Sequence, residues 1–148
     1  MSIFDYRSWK KLIAPAIPDQ EHASPADATL IQAAEHNLGI MFPAQLRDLL
    51  LECDGVTARY GSKAVWTVSE IQRCNNEFRN TKTFHELYMP FDHLLFFGDD
   101  VNGDQFAFAI HPDGQIHKPD IYCWDHETDS RIWFASDMKQ YLEKRLAQ

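Results

Sequence analysis

The residues with the most chemical potential stand between two apolar runs in Leu94 to Ile110: Asp99, Asp100, Asn102 and Asp104. Asp100, Asn102 and Asp104 have the alternate spacing of a calcium-binding loop. The rest of that pattern fails, because Gln105 stands where the sharp turn needs glycine and His111 where a bidentate glutamate is needed. Strands, not helices, flank the loop. Asp and Asn also set turn geometry through bonds to nearby backbone, and an acidic tip can face a basic partner. Both of these readings stay open at this level. His111, His117, Cys123 and His126 suggest zinc by type, but no Cys-x-x-Cys or His-Glu-x-x-His spacing accompanies them.

Nucleophilic chemistry is no better supported. Cys53 falls on the apolar stripe of a predicted helix and Cys123 in a strand between aromatics, where thiols are inert. Cys74 lies in a polar stretch, with no identifiable base. No Gly-x-Ser-x-Gly, phosphate loop or dinucleotide motif occurs. The expectation is no catalytic residue, no metal and no cofactor.

The acidic tip belongs to an expected β-hairpin. Asn102-Gly103 supplies the φ > 0 conformations of tight turns, and Phe106 and Phe108 alternate with smaller residues as one buried strand face. Upstream, Phe4, Trp9, Leu12 and Ile13 suggest a short edge helix over residues 3 to 13, and Ala14 to Pro25 reads as loop. Ser24-Pro25-Ala26-Asp27 is a helix start with Ser as cap. Ile31, Ala34 and Leu38 form its apolar face, and Gly39 its end. Pro43 opens a second helix with Leu46, Leu49, Leu50 and Cys53 inward, stopped by Gly55 as a left-handed cap. The short link predicts a helical hairpin.

Ala64 to Val68 reads as a strand centred on Trp66, Ser69 to about Arg79 as a helix, and Asn80 to Pro90 as loop anchored by Tyr88 and Phe91. After the hairpin, Gln115 to Trp124 returns as strands broken near Pro119, and Arg131 to Ala135 is the last strand. Ser136 caps a terminal helix with Met138, Tyr141, Leu142 and Leu146 on one face and Lys139, Lys144 and Arg145 in later turns. Helices first, strands next and one closing helix give an α+β class.

At 148 residues one domain is expected, with residues 1–24 as an extension or edge helix and 25–147 as core. Ten Phe, five Tyr and four Trp can fill that core. A net charge of −8 argues against direct nucleic-acid binding; it serves solubility or favours a basic partner. Three widely spaced cysteines do not form a disulfide framework. The start, MSIFDYRSWKKL, has no apolar signal core, and no apolar run reaches the roughly 20 residues of a membrane span. The expectation is a soluble cytoplasmic protein with no membrane partner.

Four stretches carry a family resemblance. Ile31 to Gly55 places Glu35, Leu38, Gly39, Pro43, Leu49, Leu50 and Gly55 in a helix–"lgi"–Pro–helix–Gly order, with Asp54 where Asn is more usual. Trp66 to Ile71 is a Trp-bearing strand before a "sEi" helix start. Phe96 to Ile110 is a Gly-Asp…Asn-Gly-Asp hairpin, and Ile121 to Leu142 carries Tyr122, Trp124, Asp125, His126 and Glu127 before a Tyr-Leu helix. Together they resemble the SUKH superfamily, typified by bacterial immunity proteins and a fungal cell-wall regulator.

The resemblance implies a non-enzymatic domain with a curved, mostly antiparallel sheet packed by N-terminal helices and one C-terminal helix. It further implies a cognate protein toxin as partner, often a nuclease and basic by charge complementarity, bound by a monomer or weak dimer. An intracellular scaffold of the cell-wall-regulator type is the alternative. The expected partner-binding residues are Tyr60, Trp66, Glu70, Asp99, Asp100, Asn102 and Asp104. Trp66 and Trp124 could instead be core, and Glu70 could serve the helix start beside it.

Overall fold

The computed structural model describes residues 9–14 and 24–147. Of the expected edge helix, Trp9–Ile13 forms α1, with Trp9 and Ile13 buried. Phe4 and the loop stretch 15–23 lie outside the described residues. Helix α2, Ala28–Leu38, is capped by Asp27, whose carboxylate accepts from Thr29 N. Ser24, the expected cap, is not used. Its carbonyl accepts from Asp54 N at 2.8 Å and Ala26 N donates to Leu50 O at 2.8 Å, so tertiary bonds hold this lead-in outside the helix.

Gly39, at φ 70°, closes α2, and Pro43 precedes α3, Ala44–Glu52. The expected inward residues Ile31, Leu46, Leu49, Leu50 and Cys53 are buried. α3 stops earlier than expected, at an extended Cys53. Gly55 therefore serves the following turn, where its φ of 105° disfavours any residue with a Cβ. Asp54 spans that turn by accepting from Val68 N at 2.8 Å.

Val56–Thr57 (β1) and Lys63–Val65 (β2) pair antiparallel around a single-turn 3-10 segment, Arg59–Gly61. The strand expected through Val68 ends at Val65, because Thr67 caps α4, Val68–Asn80. α2 packs along α4 instead of forming a hairpin with α3, and Asn76 Nδ2 donates across that contact to Asn37 Oδ1 at 2.8 Å. The stretch expected as loop contains α5, Lys82–Leu87. No Gly or Pro interrupts it, and Phe84 gains ring contacts with Phe78 and Phe91 by folding there.

The main sheet runs β3 (Leu94–Asp99), β4 (Gln105–Ala109), β5 (Ile121–Trp124), β6 (Arg131–Ala135), all antiparallel neighbours. The segregated helices and antiparallel sheets make the α+β fold. β3 and β4 are buried on both faces, not on the single face that the Phe106–Phe108 alternation suggests. Phe96 packs with Phe78, Phe91 and Trp124. Phe97 packs on Phe108 and Tyr141. Sandwiching the hairpin this way removes several large side chains from water, each worth about 1.5–3 kcal/mol. Register shifts at Phe96–Gly98 and Ile121–Tyr122 are of the kind that bend a sheet.

β5 is shorter than expected. Pro119 has no amide to donate, and His111 N bonds Gln115 O at 2.8 Å to close a turn instead. α6, Met138–Leu146, is capped by Asp137 accepting from Gln140 N, not by Ser136. Met138, Tyr141 and Leu142 are buried as expected, and so is Arg145.

Candidate functional site

The expected partner-binding residues converge where β2, the start of α4 and the β3–β4 turn meet, and they divide into an inner and an outer set. The inner set begins with Trp66, only 3% exposed. Its indole Nε1 donates to Asp99 Oδ2 at 2.8 Å, and Lys63 N donates to Asp99 Oδ1 at 3.0 Å. Lys63 Nζ reaches Glu70 Oε2 at 2.8 Å. Glu70 Oε1 accepts from Thr67 N at 3.0 Å while Thr67 Oγ1 accepts from Glu70 N at 3.1 Å, a reciprocal helix cap. Burial alone would raise the Glu70 pKa, but the Lys63 and Thr67 hydrogen bonds outweigh it and hold the carboxyl below its ordinary value.

Beneath this set lies Arg145, 2% exposed. It donates to Asp99 O at 2.7 Å and to Tyr141 Oη at 2.6 Å, and its guanidinium stacks 4.6 Å from the Phe106 ring centre. Tyr141 Oη in turn donates to Ala64 O at 2.7 Å. Burial pushes that phenol far above its ordinary pKa. Arg145 escaped the sequence reading, which placed it among the cations of a helix end. Its spacing of four from Tyr141 on the buried stripe was the available signal.

The outer set is the hairpin tip. Asp100 N donates to Asp104 O at 2.9 Å, and Asp104 N donates to Asn102 Oδ1 at 3.0 Å. Asp100 Oδ1 accepts from Val101 N at 2.8 Å and stands 3.9 Å from Arg145. Asp104 Oδ1 meets His126 Nδ1 at 2.9 Å. That hydrogen bond, then the charge of Asp104, raises the His126 pKa. Gly103, at φ 96°, passes so close to the His126 ring that a Cβ would lie 3.1 Å from it.

Tyr60 differs from all of these. It is 89% exposed and holds left-handed backbone, φ 58° and ψ 26°, which costs a residue other than glycine or Asn stability. Its side chain makes no hydrogen bond or ring contact with the described residues. A cleft of about 230 Å³, lined by Arg59, Tyr60, Ser62, Asp100 and Val101, joins it to the hairpin tip. Val101 adds a second exposed apolar side chain there. The fold thus brings Tyr60 and Asp100 together at one cleft, while Trp66, Glu70 and Asp99 are tied into hydrogen bonds that join elements or cap a helix.

Asp104, Asp125 and His126 are the group of His, Cys, Asp and Glu among the described residues whose ligand-type atoms lie within 4.8 Å of one another. Hydrogen bonds already account for it: Asp104 binds His126, and Asp125 Oδ1 accepts from Glu127 N at 2.8 Å. His111, His117 and Cys123 do not join that group. The His111 and His117 rings meet edge to face, 4.9 Å between centres, and His117 pairs with Asp113. Burial raises all three thiols, Cys53 and Cys123 to about 11, which leaves them protonated at neutral pH. Among the described residues no helix is long and apolar enough to cross a membrane.

Comparison with known proteins gives one result at the level of families: the SMI1 / KNR4 family model (SUKH-1) matches residues 25–144. No curated protein matches the chain.

Proposed function

Because the chain belongs to the SMI1 / KNR4 family (SUKH-1), we propose that it is a non-enzymatic protein-binding domain that neutralises a cognate bacterial toxin in the cytoplasm. The partner is a basic toxin domain, with nucleases the leading class. Neutralisation works by occlusion or by holding an exosite, with no chemistry performed by this chain.

The observation that supports this most is Tyr60: an exposed aromatic residue at a left-handed position of the tight β1–β2 turn, closed by Ser62 N on Arg59 O, where glycine or asparagine would fit at lower cost. Strain of this kind accumulates at functional positions, and exposed tyrosines are favoured anchors of protein interfaces. Asp100 lines the cleft beside it, and Asp104, Asp125 and Glu127, gathered around His126 at the hairpin tip, add negative charge suited to a basic surface. Trp66, Glu70 and Asp99 contribute by fixing the hairpin on which the acidic tip is carried.

The test is genetic and uses the host cell of this gene. Deleting the gene should make the cell sensitive to toxin-bearing siblings, and restoring the wild-type chain should protect it. A folded Tyr60→Asn chain should protect poorly, because loss of an anchor weakens binding by about 30-fold. Unharmed growth of the deletion strain beside its parent would remove the toxin reading. Stoichiometric recovery of a housekeeping protein on the tagged chain would then favour the scaffold alternative.

A further inference from the structure

A second concavity, of about 570 Å³, lies between the α2–α3 link and the loop joining β4 to β5. Its volume is that of a small-ligand site. Ile40, Met41, Phe42 and Ile116 give it apolar walls, and Glu35 and Gln115 give it polar groups. None of these residues belongs to the Tyr60 cleft, so a ligand bound here is independent of the toxin reading.

Glu35 is the informative residue. It is 8% exposed. Its Oε2 accepts from Phe42 N at 2.7 Å and from Arg47 at 2.6 Å. Its Oε1 accepts no hydrogen bond from the described residues, yet is not sealed off from solvent, so it opens into the groove that Glu35 lines. A carboxylate oxygen with an unengaged lone pair at the wall of a groove can accept from a donor that a bound molecule brings there.

The charge of that donor is set by Arg47. The guanidinium already neutralises Glu35, and a second cation would sit against it and be repelled. A neutral N–H or O–H meets no such repulsion. The walls call for a flat apolar body, and Met41, 69% exposed at the rim, offers a thioether suited to an aromatic edge.

We propose that this groove binds a neutral aromatic hydrogen-bond donor of the phenol or indole class, with its O–H or N–H on Glu35 Oε1. Such a group could arrive as a free aromatic molecule or as a tyrosine or tryptophan side chain of another protein.

Amide NMR of the full chain tests this with p-cresol, indole, toluene and butylguanidinium as probes. p-Cresol and indole should shift the amides of Gly39–Phe42 and Gly114–Ile116. Toluene, lacking the donor, should bind about tenfold more weakly, the low end for a hydrogen bond to an ionised acceptor. Ile116→Trp, which fills the groove, should abolish the shifts, and Met41→Ala, at an exposed site, should weaken them without threatening the fold. Acetyl-Gly-Tyr-Gly-amide binding more tightly than p-cresol would assign the site to a protein side chain; weaker binding would assign it to a free molecule. Toluene binding as well as p-cresol, butylguanidinium binding better, or shifts that survive Ile116→Trp would each overturn the proposal.

Discussion

Trp66 with Asp99 and Tyr60 with Asp100 are the same pairing of an aromatic with a carboxylate, the two aspartates adjacent in the chain, and the molecule uses them in opposite ways. Trp66 is 3% exposed and Tyr60 89%. Both Asp99 carboxylate oxygens accept from other elements, one from Trp66 and one from Lys63. Among the described residues the Asp100 carboxylate accepts from the amide of the next residue alone, with Arg145 at 3.9 Å. The difference lies in what packs behind each residue. Asp99 ends a strand pressed against the chain segment that carries Trp66, whereas Asp100 begins the turn leaving it. Residue type alone therefore does not separate a staple from an exposed pair; the hydrogen bonds that each carboxylate accepts do.

Three substitutions press on that contrast. The largest effect is expected from Asp99→Ala, which removes the acceptor of two hydrogen bonds and leaves the Trp66 indole N–H buried. A loss of about 3 kcal/mol in urea unfolding is expected, and a loss below experimental error would return Asp99 to the surface set. Tyr60→Asn should act with the opposite sign. Asn tolerates left-handed backbone, so stability should rise by about 1 kcal/mol, read as a higher urea midpoint at unchanged slope. A clear fall would mean that Tyr60 does serve the fold and would dissolve the contrast.

The smallest effect belongs to Glu70→Gln, which keeps a weaker cap but loses the Lys63 ion pair, costing below about 1 kcal/mol at neutral pH. Its sign with pH is fixed. A folded-state pKa held below the ordinary 4.5 stabilises the protein above 4.5, and that contribution is lost as pH falls through the folded value. Wild type and variant should therefore differ at neutral pH and converge in acid. A gap that persists in strong acid would show that the carboxylate charge is irrelevant there.

The hairpin was legible because its signals are local. Asn102-Gly103 marks the turn, and Gly103 sits at φ 96° as such a turn requires. The acidic tip was legible as acidic, but its division was not. Nothing in the order Gly98-Asp99-Asp100 says that a backbone strap passes so close that a Cβ on Gly98 would lie 2.2 Å from Ala64 O. That crossing, with Trp66 N on Phe97 O at 2.7 Å, is what turns Asp99 inward. Similarly, α5 lacks a strong start signal and its Thr81 makes no side-chain cap. It holds its helix through Phe84 and the rings it meets.

The sequence by itself determined the helix stripes, the Gly39 and Pro43 breaks, the antiparallel hairpin and the α+β order. Each comes from periodicity or from a residue with restricted or unusual backbone freedom, and such signals act within a few residues. Only the tertiary structure decided that β3 and β4 are covered on both faces, that α2 lies on α4, that Arg145 is buried beneath Asp99, and that Tyr60 stands free beside Asp100. These depend on which distant segments exclude water from one another, and burial is a property of the packed chain, not of any window along it.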